Sequence, residues 1–474
     1  MPTITRLLAV SLGALLLVPG AAAQAEQGTA VRAVQDTTAC AAANGPGQPE
    51  PLKATTITTI EQVYRCIFDH YYGSKALDGR KLLVAAFAAF AQELHRRGQD
   101  RPEAVMPALT GDRSGDWDAF GAVYQRVTGS LPQDAVLRQA LAAATLGGMI
   151  RALGDNHARW QRTELPPGYQ PGQEYGLGMT TFPSSGLMNG APQQALPPLY
   201  VRSVLGGAAA EHDLRPGDVI ETVDGDTPFA GGVLSPGVVN LLYPSYPRTS
   251  AVHLKLRRPA TGRTWTVALK PALYEPAAKT VAAKLLNGDI AYVKLTGFAP
   301  KAADAVLKAI TDLGTPKGVV LDVRGNRGGS SAEVDRLLGA FAHGKVTAYL
   351  CDGAGACTAS RTDDTVPLLN LPLAVLTDRD CASACDHFTS AVKANGLGAL
   401  VGTRTAGIVS GPATAYALDD GSALLLPALY HLGPGREVID RSGTPPHHYV
   451  PTTAKDMSTG RDPVLARALT VLAG

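Results

Sequence analysis

The chain reads as a multidomain α+β protein, because its patterning changes twice along its length. From residue 56 to about 153, apolar residues recur every three or four positions, as in Ile60-Val63-Tyr64-Ile67 and Leu82-Leu83-Ala86-Phe87-Phe90. That is the stripe of amphipathic helices. From about 173 to 272 the pattern is one of short β-rich runs between Gly- and Pro-rich turns. From Gly288 onward, strand-like and helix-like runs alternate, which predicts a largely parallel or mixed sheet flanked by helices.

The elements follow in order. Arg6 precedes an apolar run over residues 7–18 and small residues at Ala21-Ala22-Ala23-Gln24-Ala25, so residues 1–25 read as a cleavable signal peptide. No later run is long and apolar enough for a membrane helix, and no cysteine near the cut suggests a lipid anchor. The expected location is secreted or periplasmic. Residues 26–165 read as an N-terminal helical region that begins loosely, with breaks at 111–117 and 129–134. The chain then runs through a Pro/Gly-rich linker to Gly172. Tyr175-Gly176-Leu177-Gly178-Met179 leads into a strand, and Leu199-Tyr200-Val201-Arg202-Ser203-Val204 forms another. A short helix over 207–212 follows, and two alternating strands near 252–256 and 265–269 close this region. In the last region, 276–474, strands are expected at 290–295 and 318–323, helices at 302–313 and 333–341, then a buried strand over 371–376.

Composition narrows the function. The chain has 474 residues, 45% of them hydrophobic, enough for several cores. Lys and Arg number 43 against 41 Asp and Glu, a net charge of +2 that gives no reason to expect nucleic acid as a partner. No GxxxxGK[ST], HExxH or paired CxxC motif is present, so neither a cofactor nor a metal is expected. The six cysteines suit an oxidising compartment. Cys351 and Cys357 bracket a small Gly-containing loop, and Cys40 and Cys66 are a second candidate pair. Cys381 and Cys385 stand four apart around Ser383, either bridged or as free buried thiols.

The most informative stretch is Thr377-Asp378-Arg379-Asp380-Cys381-Ala382-Ser383-Ala384-Cys385-Asp386, between the buried strand and a helical run over 387–395. A serine at a strand-to-helix turn sits at the end of a sheet, beside helix amides that are unpaired and attract negative charge. Acyl-transfer nucleophiles are often built this way. Ser383 is the candidate nucleophile. His387, one turn later, reads as a packing residue, and His447-His448 as surface.

Three blocks then resemble the carboxy-terminal processing, or tail-specific, proteases. The segment 175–269 resembles a PDZ domain, with Gly176-Leu177-Gly178-Met179 at the loop that holds a peptide carboxylate and Leu214-Arg-Pro-Gly-Asp-Val-Ile220 with Val223-Asp-Gly225 as its core. Leu321-Asp-Val-Arg-Gly-Asn-Arg-Gly-Gly329 resembles the family's LDLRxNxGG signature, and Cys381-Ala-Ser-Ala-Cys-Asp386 its nucleophile motif. Ala399-Leu-Val-Gly-Thr-Arg-Thr405 and Asp420-Gly-Ser-Ala-Leu-Leu-Leu426 resemble its later strands. The resemblance implies a PDZ-like domain over 173–272 and a mixed α/β, ClpP/crotonase-like serine peptidase domain over 276–474.

The best-known branch of that family uses a lysine base shortly after the 399–405 strand. This chain has Ile408 there, in Thr405-Ala406-Gly407-Ile408-Val409, and Lys393 lies roughly 15 Å along the helix. The chain is closer to the tricorn-type branch, with a serine, a histidine and an acid. His157 in Gly154-Asp-Asn-His-Ala158 matches that branch's histidine block, and Asp440 in Val438-Ile-Asp-Arg-Ser-Gly443 its acid block. The resemblance therefore implies Ser383 as nucleophile, His157 as base, Asn156 as relay and Asp440 as acid. Gly328, Gly329 and Ala384 are the expected oxyanion donors. The expected function is an exported serine endopeptidase acting on polypeptides, recognised in part by their C-termini. The rival is a non-catalytic binding protein on the same fold.

Overall fold

The computed structural model describes residues 40–42, 51–182, 197–276 and 280–474. The signal peptide expected over residues 1–25 lies outside them.

Four helices, Ile57–His70, Gly79–Arg96, Arg113–Gly129 and Ala135–Arg151, form the helical region. Each opens on a capping side chain: Thr56, Asp78, Asp112 and Asp134 accept from the first amides of their helices. One expected break is corrected here. Residues 113–117 begin a helix, because Asp112 accepts from Gly115 N at 2.7 Å and caps it. Ile60, Ile67, Leu83, Phe90, Phe120 and Leu146 are fully buried in a core that also contains Tyr416, Leu424 and Leu426 from far down the chain. Those three belong to the hairpin Ala413–Ala417 and Ala423–Pro427. The strand Arg159–Gln161 adds to the hairpin's other edge, pairing with residues 423–425. The helices and this hairpin thus share one core, and Asp420 ties them further by accepting from Thr55 Oγ1 at 2.6 Å and Arg162 at 3.2 Å.

After the linker, Glu174–Gly176 pairs with Ala272–Tyr274. The chain then turns at Gly178 and enters a five-stranded antiparallel sheet in the order 264–269, 252–257, 219–223, 200–204, 179–182. Gly178 is required: a Cβ there would lie 1.9 Å from Gly206 O. Short helices Gly207–Glu211 and Pro236–Leu242 complete this region's core. Asp218 is fully buried and bonded twice by Arg258, at 2.8 and 2.9 Å, so the Gly-Asp-Val-Ile block is structural.

The last region holds a six-stranded sheet in the order 281–286, 290–295, 318–322, 373–377, 399–402, 448–449. Its first pair is antiparallel and the others parallel. Both faces are covered, as the unbroken apolar runs require. Val319, Leu321, Leu373 and Val375 face helices Ala302–Asp312, Ser331–Gly339 and Ala384–Ala394, whereas Val320, Ala374 and Leu376 face Pro463–Leu472. The segment carrying Gly328-Gly329 and the turn carrying Ser383 leave the carboxyl ends of two adjacent parallel strands, where open α/β sheets place their sites. Among the described residues no helix is long and apolar enough to cross a membrane.

Candidate active site

Ser383 caps the Ala384–Ala394 helix with φ +59° and ψ −121°, a conformation that residues with a side chain rarely adopt. Several contacts hold it there. Its N–H donates to Ile408 O at 2.7 Å and to Asp386 Oδ2 at 3.1 Å. Ala382 N donates to Asn326 O at 3.0 Å, which ties the turn to the neighbouring strand's loop. Gly328 comes so near that a Cβ on it would lie 2.6 Å from the Ser383 Cβ. Only glycine fits, as its φ of +96° also demands.

His157 arrives from the other end of the chain. Gly154, at φ +64°, turns the backbone out of the preceding helix. Asp155 Oδ1 then accepts from His157 N at 2.7 Å and Ala158 N at 2.8 Å, shaping the turn. The strand Arg159–Gln161 locks this turn onto the 413–427 hairpin. His157 is buried, and its Nε2 lies 3.3 Å from Ser383 Oγ. Its Nδ1 lies 2.5 Å from Asn156 Oδ1, and Asn156 Nδ2 donates to Asp440 Oδ1. An ionised Asp440 only accepts, so Asn156 offers it the NH₂ and turns its carbonyl to the ring. Nδ1 then carries the proton and Nε2 is left to accept from the serine. Burial pushes the His157 pKa below its usual 6.5, with Asp155 opposing, and raises that of Asp440. Arg441 holds the two turns together by donating to Gly154 O at 2.5 Å. The structure thus brings Ser383, His157, Asn156 and Asp440 into one chain of contacts.

The candidate oxyanion donors need one correction. The Gly328 N–H already donates to Asn326 Oδ1 at 2.8 Å. Gly329 and Ala384, the first residue of the helix, are the remaining amides at this corner. Gly176, Leu177, Gly178 and Met179 lie where the strand Glu174–Gly176 ends and the edge strand Met179–Phe182 begins. There Gly178 O accepts from Leu205 N at 2.7 Å, and the Tyr243 hydroxyl accepts from Thr181 N at 2.8 Å.

Two features escaped the sequence reading, and one cysteine pair it left open is bridged. Asp386 is fully buried and accepts from Thr405 Oγ1, Gly407 N, Ile408 N and Ser383 N, at 2.5 to 3.1 Å, so it anchors the 405–408 segment to the turn carrying Ser383. The Ser-x-x-Asp spacing of a capping box carried that signal. Burial pushes its carboxyl up to about 6. Arg202, on the antiparallel sheet, pairs with Asp378 and, at 3.2 Å, with Asp380 in the loop before Ser383. All three disulfides close: Cys40–Cys66 and Cys351–Cys357, as the spacing suggested, and also Cys381–Cys385, which the sequence left open.

A cavity of about 1770 Å³ borders the loop before Ser383, lined by Thr180, Arg202, Arg324, Arg327, Asp380 and Tyr449; neither Ser383 nor His157 lines it. His387 is buried against His431, with ring centroids 5.0 Å apart. Among the described residues no group of three or more His, Cys, Asp or Glu side chains is arranged to hold a metal.

Comparison with known proteins bears on the same corner. Residues 289–450 match the model of Peptidase family S41. Carboxyl-terminal-processing peptidase 2, chloroplastic, of Arabidopsis thaliana is 29% identical over 260 residues, which are 53% of this chain and 50% of that protein. The match thus spans about half the length of that relative. The carboxy-terminal processing protease CtpB of Bacillus subtilis is 24% identical over 357 residues, 73% of this chain and 71% of the relative. Among solved structures, a photosystem II D1 C-terminal processing protease superposes with a TM-score of 0.53 at 22% identity, covering 88% of this chain and 97% of that one. That last likeness is one of fold.

Proposed function

We propose that this chain, whose residues 289–450 match Peptidase family S41 and which is similar to carboxyl-terminal-processing peptidases, is an exported serine endopeptidase that cleaves polypeptides through a Ser383 acyl-enzyme, with His157 as the base. The observation that carries the reading is the contact chain Asp440, Asn156, His157, Ser383, ending 3.3 Å from the serine oxygen.

A serine hydroxyl is barely ionised at neutral pH and needs a base within hydrogen-bond reach. His157 Nε2 takes the proton as Oγ attacks the scissile carbonyl. Asp440, through Asn156, keeps the proton on Nδ1 and stabilises the imidazolium that forms. The oxyanion is held by the amides of Gly329 and Ala384, the latter at a helix start where negative charge is favoured. Collapse returns the proton to the leaving amine, and water then repeats the sequence to free the acid. No lysine is needed: Ile408 contributes its carbonyl and N–H to the nucleophile turn and its side chain takes no proton.

The region 173–272 serves as a PDZ-like module. In this reading a substrate's C-terminal strand adds to the edge strand Met179–Phe182, with its carboxylate at Gly176-Leu177-Gly178. Export is supported by three disulfides, which persist in oxidising compartments.

The test is a fluorophosphonate probe on the purified protein, with the adduct mapped by mass spectrometry. The expected result is a single adduct on Ser383, lost together with peptide hydrolysis in Ser383→Ala, which keeps its fold. A protein that takes no adduct and cleaves no peptide would favour the binding-protein rival. Hydrolysis near the wild-type rate in Ser383→Ala would remove this serine from the mechanism.

A further inference from the structure

The Cys381–Cys385 disulfide bridges the two residues that flank Ser383 at a distance of two positions on either side. Both cysteines are fully buried, in the core between the parallel sheet and its helices. Cys381 belongs to the loop before the nucleophile, where its carbonyl accepts from Ala406 N at 2.9 Å. Cys385 belongs to the first turn of the helix after it. The bridge therefore fastens the two arms of the turn whose apex is Ser383, held at φ +59°.

This bridge is poorly suited to stabilising the whole fold. In the chain-entropy view a disulfide restricts the unfolded chain more the longer the loop it closes. Cys40–Cys66 spans 26 residues, whereas Cys381–Cys385 spans 4. What a short bridge can do is limit local conformations, and here the one it selects is otherwise disfavoured. Without the bridge, the hydrogen bonds from Ser383 N to Ile408 O and Asp386 and from Ala382 N to Asn326 O are left to hold the strained turn alone, and any relaxation toward ordinary helical or extended backbone would swing Oγ away from His157 Nε2.

We propose that Cys381–Cys385 is a thiol–disulfide modification site that positions the nucleophile: bridged, it holds Ser383 in attacking geometry; as two thiols, it leaves the peptidase latent. The inference rests on the reading of Ser383 as the nucleophile. The partner is a dithiol reductant. One of its thiolates attacks a cysteine sulfur and the other cysteine leaves as a thiolate, which takes up a proton. The reductant's second thiol then resolves the mixed disulfide. The chain gains two electrons and two protons, and the reductant ends as a disulfide. Because both sulfurs are buried, exchange waits on opening of the turn. A chain synthesised in a reducing compartment would hold the thiol form and gain activity on oxidation.

The test compares three forms of the full protein: oxidised, reduced with dithiothreitol, and the Cys381→Ala/Cys385→Ala double variant. Cys351→Ala/Cys357→Ala serves as a comparison, since that pair closes a separate hairpin between the strands 346–351 and 357–361 and does not flank Ser383 in the chain. Peptide hydrolysis, fluorophosphonate labelling of Ser383 and circular dichroism are followed, and alkylated cysteines are mapped by mass spectrometry. We expect kcat and the labelling rate to fall about 10²-fold as Cys381 and Cys385 become alkylatable, with KM changed by less than about twofold. The double variant should show the same fall with an unchanged spectrum, the comparison pair should not, and re-oxidation should restore activity. Should the double variant fail to fold, the reduction arm decides by whether loss tracks alkylation at 381 and 385. A thiol form that labels and hydrolyses like the oxidised one sinks this inference and leaves the Ser383 reading standing. An oxidised protein that neither labels nor hydrolyses takes both down.

Discussion

His157 and Ser383 stand 226 positions apart in the chain yet 3.3 Å apart in space, and single residues on either side make that meeting possible. Gly328 leaves room for the serine, Asp155 shapes the histidine's turn, and Asp386 grips the serine's. Asp386 is the most exacting of these. Each of its carboxylate oxygens accepts from two donors, Thr405 Oγ1 and Gly407 N on one, Ile408 N and Ser383 N on the other. Asp386→Asn would turn an NH₂ toward two of those donors. The expected cost is about 1–3 kcal/mol in unfolding free energy, with a drop in kcat as the 405–408 segment loosens from Ser383. Denaturant midpoints and steady-state kinetics measure both, and wild-type values in the two together would contradict the role given to this carboxylate. The candidate residues were legible because they sit in ordered motifs. Asp386 was passed over because a carboxylate at a helix start ordinarily marks no more than a cap.

At the scale of elements, the parallel strands were legible from their unbroken apolar runs and the first helices from their stripes. The boundary at 111–117 was missed because Gly111 looks like a break while Asp112 beside it acts as a cap. The short helix Pro236–Leu242 left no stripe long enough to read. That helix matters, since Tyr243 just beyond it bonds both the amide and the hydroxyl of Thr181 on the edge strand. A peptide adding to that strand must share or displace this hydroxyl. Calorimetric titration with one peptide in two forms tests the PDZ-like reading. The free C-terminal carboxylate should bind at least about tenfold more tightly than the C-terminal amide, because backbone amides at a Gly-rich loop favour an anion. Equal affinities would leave Gly176-Leu177-Gly178-Met179 as a turn into a strand and nothing more.

For the molecule as a whole, the core shared between the helical region and the 413–427 hairpin was not legible, since nothing local in residues 56–153 announces a partner that distant in the chain. It is nonetheless what carries His157 to the sheet, so the position of that ring depends on packing across nearly the full length of the described chain. The catalytic claim is tested most directly by kcat/KM against pH for the wild type and His157→Ala. Histidine must be neutral to accept the serine proton, so the rate should rise with pH through its pKa. A histidine in the reference range would place that limb at about 6–7.5. Burial disfavours the charged ring and moves the limb below the usual 6.5. In His157→Ala, turnover should fall by about three orders of magnitude or more and the histidine limb should disappear. A variant that keeps near-normal turnover and the same limb would contradict the assignment of His157 as the base.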